Sequence, residues 1–177
     1  MQVEIRREKA QDIEEVNLLF KLVFEKEPLP QMLTDFRKSS HFIPELARVA
    51  TINNQIIGVV MYSKAEISKG RRSLPAIVLS VIAVLPSYQG LGIGSELLRK
   101  SFQEAREQEY KSIFVLGQED VFRQFGFISA SQFEIQFPLE GTNDDFLVLE
   151  LQKDGLIKSS GNLKTHPLVG AVYLQSI

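Results

Sequence analysis

The stretch Gln89-Gly90-Leu91-Gly92-Ile93-Gly94-Ser95 carries the first chemical signal in this 177-residue chain. Gly92 and Gly94 have no Cβ, so an anion can approach the backbone closely at these positions. An apolar run ends just before the turn, at Pro86, and a segment of helical spacing follows it. Strand, glycine turn and helix together present free N–H groups at the positive end of a helix dipole, which suits a phosphate or pyrophosphate. Each charge placed there gains about 0.3–1 kcal/mol at an exposed terminus.

Other glycine-rich readings fit less well. A P-loop places Lys-Ser or Lys-Thr after its last glycine, and here Ser95-Glu96 follows Gly94. A dinucleotide fingerprint needs a third glycine where Ser95 stands, and it follows an early strand rather than antiparallel hairpins. A tight structural turn without a ligand stays open on spacing alone.

The elements that must hold this turn are readable from periodicity. Val3 and Ile5 alternate with polar residues and predict a first strand. Asp12 and Glu15 have the spacing of a capping box, and Ile13, Val16, Leu19, Phe20, Val23 and Phe24 recur as on one helix face, so residues 12–26 are expected to be helical. A shorter helix through Leu29, Met32, Leu33 and Phe36 ends near Lys38. Leu46–Thr51 and Gln55–Tyr62 predict a hairpin turning at Asn53-Asn54. Residues 64–73 read as an exposed tip and Leu74–Leu85 as a long central strand. Ile93, Leu97, Leu98, Phe102 and Ala105 mark a helix over 92–109. The strand Ser112–Leu116 after it implies parallel pairing by a right-handed crossover. One or two helical turns over 119–124 and strands over 127–137 and 145–151 complete the pattern. Residues 152–177 read as a loop-rich C-terminal extension docked on the same domain, with Leu168–Leu174 as its docking segment.

Composition narrows the classes. A net charge of -2 leaves no footprint for nucleic acid or an anionic membrane. The absence of cysteine excludes disulfides, a thiol nucleophile and thiolate metal sites. The N-terminal residues lack the apolar core of a signal peptide, and the run Ala76–Leu85 is too short to span a bilayer. A cytoplasmic protein with no membrane partner is the expectation.

Gln89-x-x-Gly92-x-Gly94 after Leu79–Tyr88, with Phe125-Gly126-Phe127 following a short helix, resembles the acyl-CoA motif and the terminal motif of the GNAT N-acetyltransferases. Pro44-Glu45-Leu46, Val115-Leu116-Gly117 and residues 145–151 are similar to a branch of small prokaryotic predicted acetyltransferases. The resemblance covers residues 2–151, so residues 1–151 are expected to form the acyltransferase domain. It implies an α/β fold: a mixed, mostly antiparallel sheet of six to seven strands, helices on both faces, and a central parallel pair that splays apart. It implies acetyl-CoA as co-substrate, no metal, and a small-molecule or peptide amine as acceptor, attacked directly without a covalent enzyme intermediate. The oligomeric state stays open, homodimers being common in the family. By resemblance, Ile82, Ala83 and Val84 supply backbone contacts to pantetheine, and Gln89, Gly90, Leu91, Gly92, Ile93, Gly94 and Ser95 cradle the pyrophosphate.

One departure matters for catalysis. Many family members carry a Tyr, as acid for the leaving thiolate, four residues before the Gly of the terminal motif; here that position is Phe122. Transfer without a dedicated acid, an acid supplied by Tyr88 or a water, and a catalytically weak acyl-CoA-binding or sensing module are the three readings. By resemblance, Glu25, Glu27, Glu45 and Glu66 are candidate bases because they fall where this fold builds its acceptor groove, each otherwise reading as a solvated surface carboxylate; His41, in the loop before the second strand, is a candidate as a neutral imidazole and otherwise reads as an exposed loop residue. His166 reads as structural or exposed. The Lys69-Gly70-Arg71-Arg72 tip lies about 30 Å from the glycine turn at about 3.3 Å per residue, too far to share a phosphate with it.

Overall fold

Apolar, β-branched residues from Ala76 onward make the middle strand of a nine-stranded sheet, in a computed structural model that describes residues 2–176. The strands are β1 Glu4–Arg7, β2 Arg48–Ile52, β3 Gln55–Lys69, β4 Arg72–Val84, β5 Ser112–Leu116, β6 Ile128–Ser129, β7 Ile135–Gln136, β8 Phe146–Glu150 and β9 Gly161–Lys164. The helices are α1 Ile13–Val23, α2 Leu29–Phe36, α3 Ile93–Glu107, α4 Glu119–Phe122 and α5 Leu168–Ser176. The main path runs β1-β2-β3-β4-β5-β8-β6, with β9 on the far half of β3 and β7 on β9. Pairing is antiparallel except for β4–β5 and the short β7–β9 pair. The mixed, mostly antiparallel architecture with helices on both faces is as expected.

Each face has its own apolar layer. On one side α3 lays Leu97, Leu98, Phe102 and Ala105 over Val60, Tyr62, Ile113 and Val115. On the other, Val16, Leu19, Phe20, Leu33 and Phe36 of α1 and α2 cover Val59, Met61, Val81 and Ala83. A third cluster lies around α5 and β9, where Leu163, Val169 and Tyr173 meet Phe114 and Phe146.

Three contacts tie α3 to the sheet. Gly58 lets the helix come close, since a Cβ there would stand 3.1 Å from Leu97 Cδ1 and 3.3 Å from the Ala83 carbonyl. The Tyr62 hydroxyl, fully buried on β3, shares a 2.6 Å hydrogen bond with Ser101 Oγ; burial raises its pKa. Arg48 of β2 pairs with Glu104 at 3.0 Å. Anchors along its length hold the N-terminus of α3, and with it the glycine turn, in a fixed relation to the end of β4.

Several local expectations are corrected. The β3–β4 hairpin is paired as far as Lys69↔Arg72, so the exposed tip shrinks from residues 64–73 to Gly70 and Arg71, and β9 pairs with β3 at Glu66–Ser68. Residues 127–137 are not one strand: the Ser129 side chain accepts from the Ser131 N–H, and Glu134 adopts φ 56°, leaving only β6 and β7. The stretch 152–177 contributes β9 and α5 as well as loops.

Asp12 does not cap with Glu15. Its carboxylate accepts from the Lys9 N–H at 2.7 Å and from both terminal nitrogens of Arg6 at 2.6 and 2.9 Å, while Glu15 accepts from the Ile56 N–H at 2.7 Å. The Arg6 hydrogen bonds hold the Asp12 carboxyl below its usual value, against the opposing effect of burial. A carboxyl with a lowered folded pKa binds fewer protons folded than unfolded. Its contribution is therefore complete above the unfolded value of about 3.9 and is lost as pH falls through the folded value. Urea midpoints of the wild type should fall more steeply between about pH 5 and pH 2.5 than those of Asp12→Asn. Parallel curves would rule out this pair as a source of the acid sensitivity.

Candidate functional site

The site begins with a mismatch in strand register. Met61 of β3 faces Val81 of β4, but Tyr62 faces Leu79, so Ser80 is an extra residue without a β3 partner. Such a bulge bends the strand and increases its twist. On the other edge, β4 pairs with β5 only at Ile77↔Ile113 and Val78↔Phe114. From Leu79 onward the two parallel strands have no ladder between them, and the sheet opens beside the bulge. Backbone groups along such an opened edge are available to an extended ligand.

Two cavities occupy this opening. The inner one, of about 250 Å³, lies between residues 79–82 of β4 and residues 115–118 at the end of β5. Val121 and Phe122 also line it, as do Phe24, Val172 and Tyr173. The outer one, of about 440 Å³, runs over the glycine turn between Ile82, Val84 and Tyr88 on one side and Gln124 and Phe125 on the other. Ile82, Val121 and Phe122 line both, so they form one cleft.

The glycines of the turn divide the work. Gly90 and Gly92 adopt φ 75° and 81°, left-handed conformations that favour glycine, and a Cβ on either would meet nothing within 4 Å. Gly92 is the N-cap of α3 and has no side chain with which to cap the first turn. The first residues of the helix border the outer cavity, an arrangement that suits an anion at its orphan N–H groups. Gly94 instead faces the sheet, where a Cβ would stand 3.7 Å from Ile82 Cδ1. Gln89 Nε2 donates to the Val84 carbonyl at 3.0 Å and ties the turn to the strand end.

The sequence-predicted cofactor set therefore falls around one cleft, with distinctions. Ile82, Val84, Gln89, Gly90, Gly92, Ile93, Gly94 and Ser95 line the outer cavity. The Ala83 side chain is buried on the opposite face, under α1 and α2, which leaves only its backbone for a ligand. Leu91 is exposed and lines neither cavity.

The candidate bases lie elsewhere. Glu25, Glu27, Glu45, Glu66, His41 and His166 are absent from the cleft lining. Glu66 accepts from Ser73 Oγ at 2.7 Å across the β3–β4 hairpin. His41 and His166 stack edge to face at 5.7 Å, and His166 Nδ1 accepts from the Leu168 N–H. Burial and then the charge of His41 lower the His166 pKa. Phe122 lies over Gly117 and sets its ring edgewise against Phe127 at 5.5 Å. Tyr88, the other candidate acid, lines the outer cavity only.

Sequence reasoning did not single out Ser80, Tyr173 or Asp145. Ser80 was visible only as the polar break in the apolar run. Nothing local in the chain signals the hydrogen bond from the Tyr173 hydroxyl to Asp145 Oδ2, at 2.6 Å.

Known proteins share this fold. A family model described as an acetyltransferase (GNAT) domain matches residues 4–129. The uncharacterized N-acetyltransferase YhbS of Escherichia coli K12 is 26% identical over 163 residues, 92% of this chain and 95% of that protein. The uncharacterized N-acetyltransferase YjhQ of the same strain is 31% identical over 85 residues, so that match spans 48% of this chain and 46% of the relative. Among solved structures, Escherichia coli YhbS in complex with CoA superposes with a TM-score of 0.88 at 24% identity, covering 96% of this chain and 93% of that one. A GNAT family acetyltransferase from Brucella melitensis in complex with acetyl-CoA gives a TM-score of 0.73 at 22% identity, covering 94% and 97%.

Proposed function

Because the chain belongs to the GNAT acetyltransferase family, we propose that it moves an acetyl group from acetyl-CoA to a primary amine by direct attack, without a covalent enzyme intermediate. The observation that carries this reading is the cleft running from the uncapped N-terminus of α3 into the gap between β4 and β5. The pyrophosphate belongs at Gln89–Ser95, where the free N–H groups and the helix dipole favour negative charge. Pantetheine lies along residues 82–84 of β4, taking hydrogen bonds that a neighbouring strand would otherwise take. The acetyl thioester then reaches the inner cavity beside Ser80. Backbone N–H groups on the opened edge are suited to receive charge as it builds on the carbonyl oxygen.

The acceptor approaches from the side where Phe24, Val172 and Tyr173 wall the inner cavity. Phe122 favours a second reading, a module that binds acyl-CoA and transfers it poorly. Release of CoA with any acceptor from a panel of simple amines, polyamines, peptides and aminoglycosides removes that second reading.

Calorimetric titration with acetyl-CoA tests the cofactor assignment. The wild type should saturate, and Gly92→Glu should bind tenfold more weakly or worse, since a carboxylate would then stand at the pyrophosphate position. Gly92→Ala separates backbone strain, about 1 kcal/mol for a left-handed residue, from charge. A wild type that does not bind sinks the function. Equal binding by Gly92→Glu sinks the pyrophosphate position.

A further inference from the structure

We propose that Tyr173 and Asp145 form the acceptor end of the cleft: the phenol oxygen takes a hydrogen bond from the N–H of the incoming amine, and Asp145 receives the phenol proton as the amide bond forms. The inference rests on the acetyl-CoA reading above, which puts the thioester in the inner cavity.

The inner cavity is poor in polar side chains. Its walls are mostly aliphatic or aromatic, and Ser80, Gln118 and Tyr173 are the polar side chains among the described lining residues. Ser80 is 2% exposed, and its hydroxyl makes only a long 3.5 Å contact to the Val78 carbonyl of its own strand. Gln118 has no titratable proton. Tyr173 is therefore the one titratable side chain in the lining. It stands on α5, on the face of the sheet opposite α3, across the opening from Phe122.

Its partner is built into the same wall. Asp145 directly precedes β8, and its carbonyl accepts from the Gly117 N–H at 2.8 Å, so it is locked to the cavity-lining segment at the end of β5. The Tyr173 hydroxyl donates to Asp145 Oδ2 at 2.6 Å. That bond, burial and the carboxylate charge all raise the Tyr173 pKa, so the phenol is protonated at neutral pH.

A phenol has one hydrogen, and this one is committed to a carboxylate. To any further partner the oxygen offers only lone pairs. It therefore suits an N–H donor, the nucleophile of this reaction, and does not suit a thiolate, which needs a proton. The pair is thus no substitute for the hydroxyl missing at Phe122. It acts on the other side of the thioester carbon.

The amine lone pair forms the C–N bond, the C–S bond breaks, and its electron pair leaves on sulfur. One nitrogen proton passes to the Tyr173 oxygen while the Tyr173 proton passes to Asp145. The Asp145 proton then returns to solvent, from which the thiolate is protonated.

The test uses acetyl-CoA with n-propylamine, spermidine and a lysine-containing tripeptide, followed by CoA release. Positioned proton transfer contributes about 10²–10⁴-fold. Tyr173→Phe should lower kcat/KM for the best of these amines by about 10²-fold and leave the calorimetric acetyl-CoA affinity within twofold of wild type. Asp145→Asn keeps an oxygen to accept the phenol hydrogen, so α5 stays docked, but it cannot take the proton, and it should lose at least tenfold. Wild-type kcat/KM in either variant overturns the proposal. So does a loss of acetyl-CoA affinity in step with the rate, the mark of a merely structural role. A wild type that binds acetyl-CoA but acetylates none of the three amines also overturns it, while leaving the cofactor reading standing. Absence of acetyl-CoA binding is the separate failure of that reading.

Discussion

Arg37→Ala should lose about 3–5 kcal/mol of unfolding free energy, a large share of what holds a domain of this size. Arg37 follows α2, and its guanidinium forks onto both carboxylate oxygens of Glu8, just after β1. The two side chains are only 8% and 6% exposed. Arg37 Nη1 also donates to Asn17 Oδ1 at 3.1 Å, and the guanidinium carbon lies 5.7 Å from the centre of the Phe20 ring. One cation thus joins β1, α1 and α2, the helical layer that ends at Phe24 on the inner cavity. Truncation would strand the Glu8 carboxylate in a buried place with no counter-charge, and that desolvation dominates the loss. Replacing both partners with apolar residues of similar volume, Arg37→Met with Glu8→Leu, should recover most of the stability, because no buried charge remains. Guanidinium melts of the two single variants and the double variant check this. A loss below about 1 kcal/mol in Arg37→Ala would mean that water reaches the carboxylate and the pair behaves as a surface bridge.

The contrast between that pair and the glycine turn explains what was legible in the sequence. The turn is local: strand, glycines and helix are contiguous, and each part leaves a signature in periodicity or in residue type. The Asn53-Asn54 hairpin was readable for the same reason, and both residues adopt positive φ, at 49° and 66°. The Ser80 bulge is also local, but its signature is a count of residues on two strands, and a single chain does not display register. Glu8 and Arg37, or Asp145 and Tyr173, meet only after helices dock, at separations of 29 and 28 residues. Gly58 carries no signal of its own within the strand; its use is the close approach of Leu97 from a helix that follows much later. The residues around the glycine turn were therefore largely legible in the sequence, and those that meet around the inner cavity were not.

Phe122→Tyr should raise kcat by about 10²-fold, if the proton for the leaving sulfur limits the reaction, since a positioned general acid contributes about 10²–10⁴-fold. The place is prepared for it. Phe122 sits on α4 and lines both the inner and the outer cavity, so its ring borders the passage that joins them. It is 7% exposed, and its ring is supported by Phe127 and by the bare backbone of Gly117, where a Cβ would come within 2.6 Å of Cε2. Ring position is therefore set by neighbours that a single added oxygen does not displace. With the usual phenol value near 10, the new hydroxyl is protonated throughout the neutral range, and its advantage should fade as pH rises past about 10. An interaction made only as the thiolate departs raises kcat and kcat/KM together and leaves acetyl-CoA affinity unchanged. Phe122→Leu provides the packing control: it removes the edge contact with Phe127 without adding a proton, and should lower stability with no gain in rate. No gain in Phe122→Tyr, with acetyl-CoA affinity intact, would place the slow step elsewhere. The thiolate would then leave unaided, near its solution pKa of about 8.5, and the absence of a hydroxyl at residue 122 would cost the enzyme nothing.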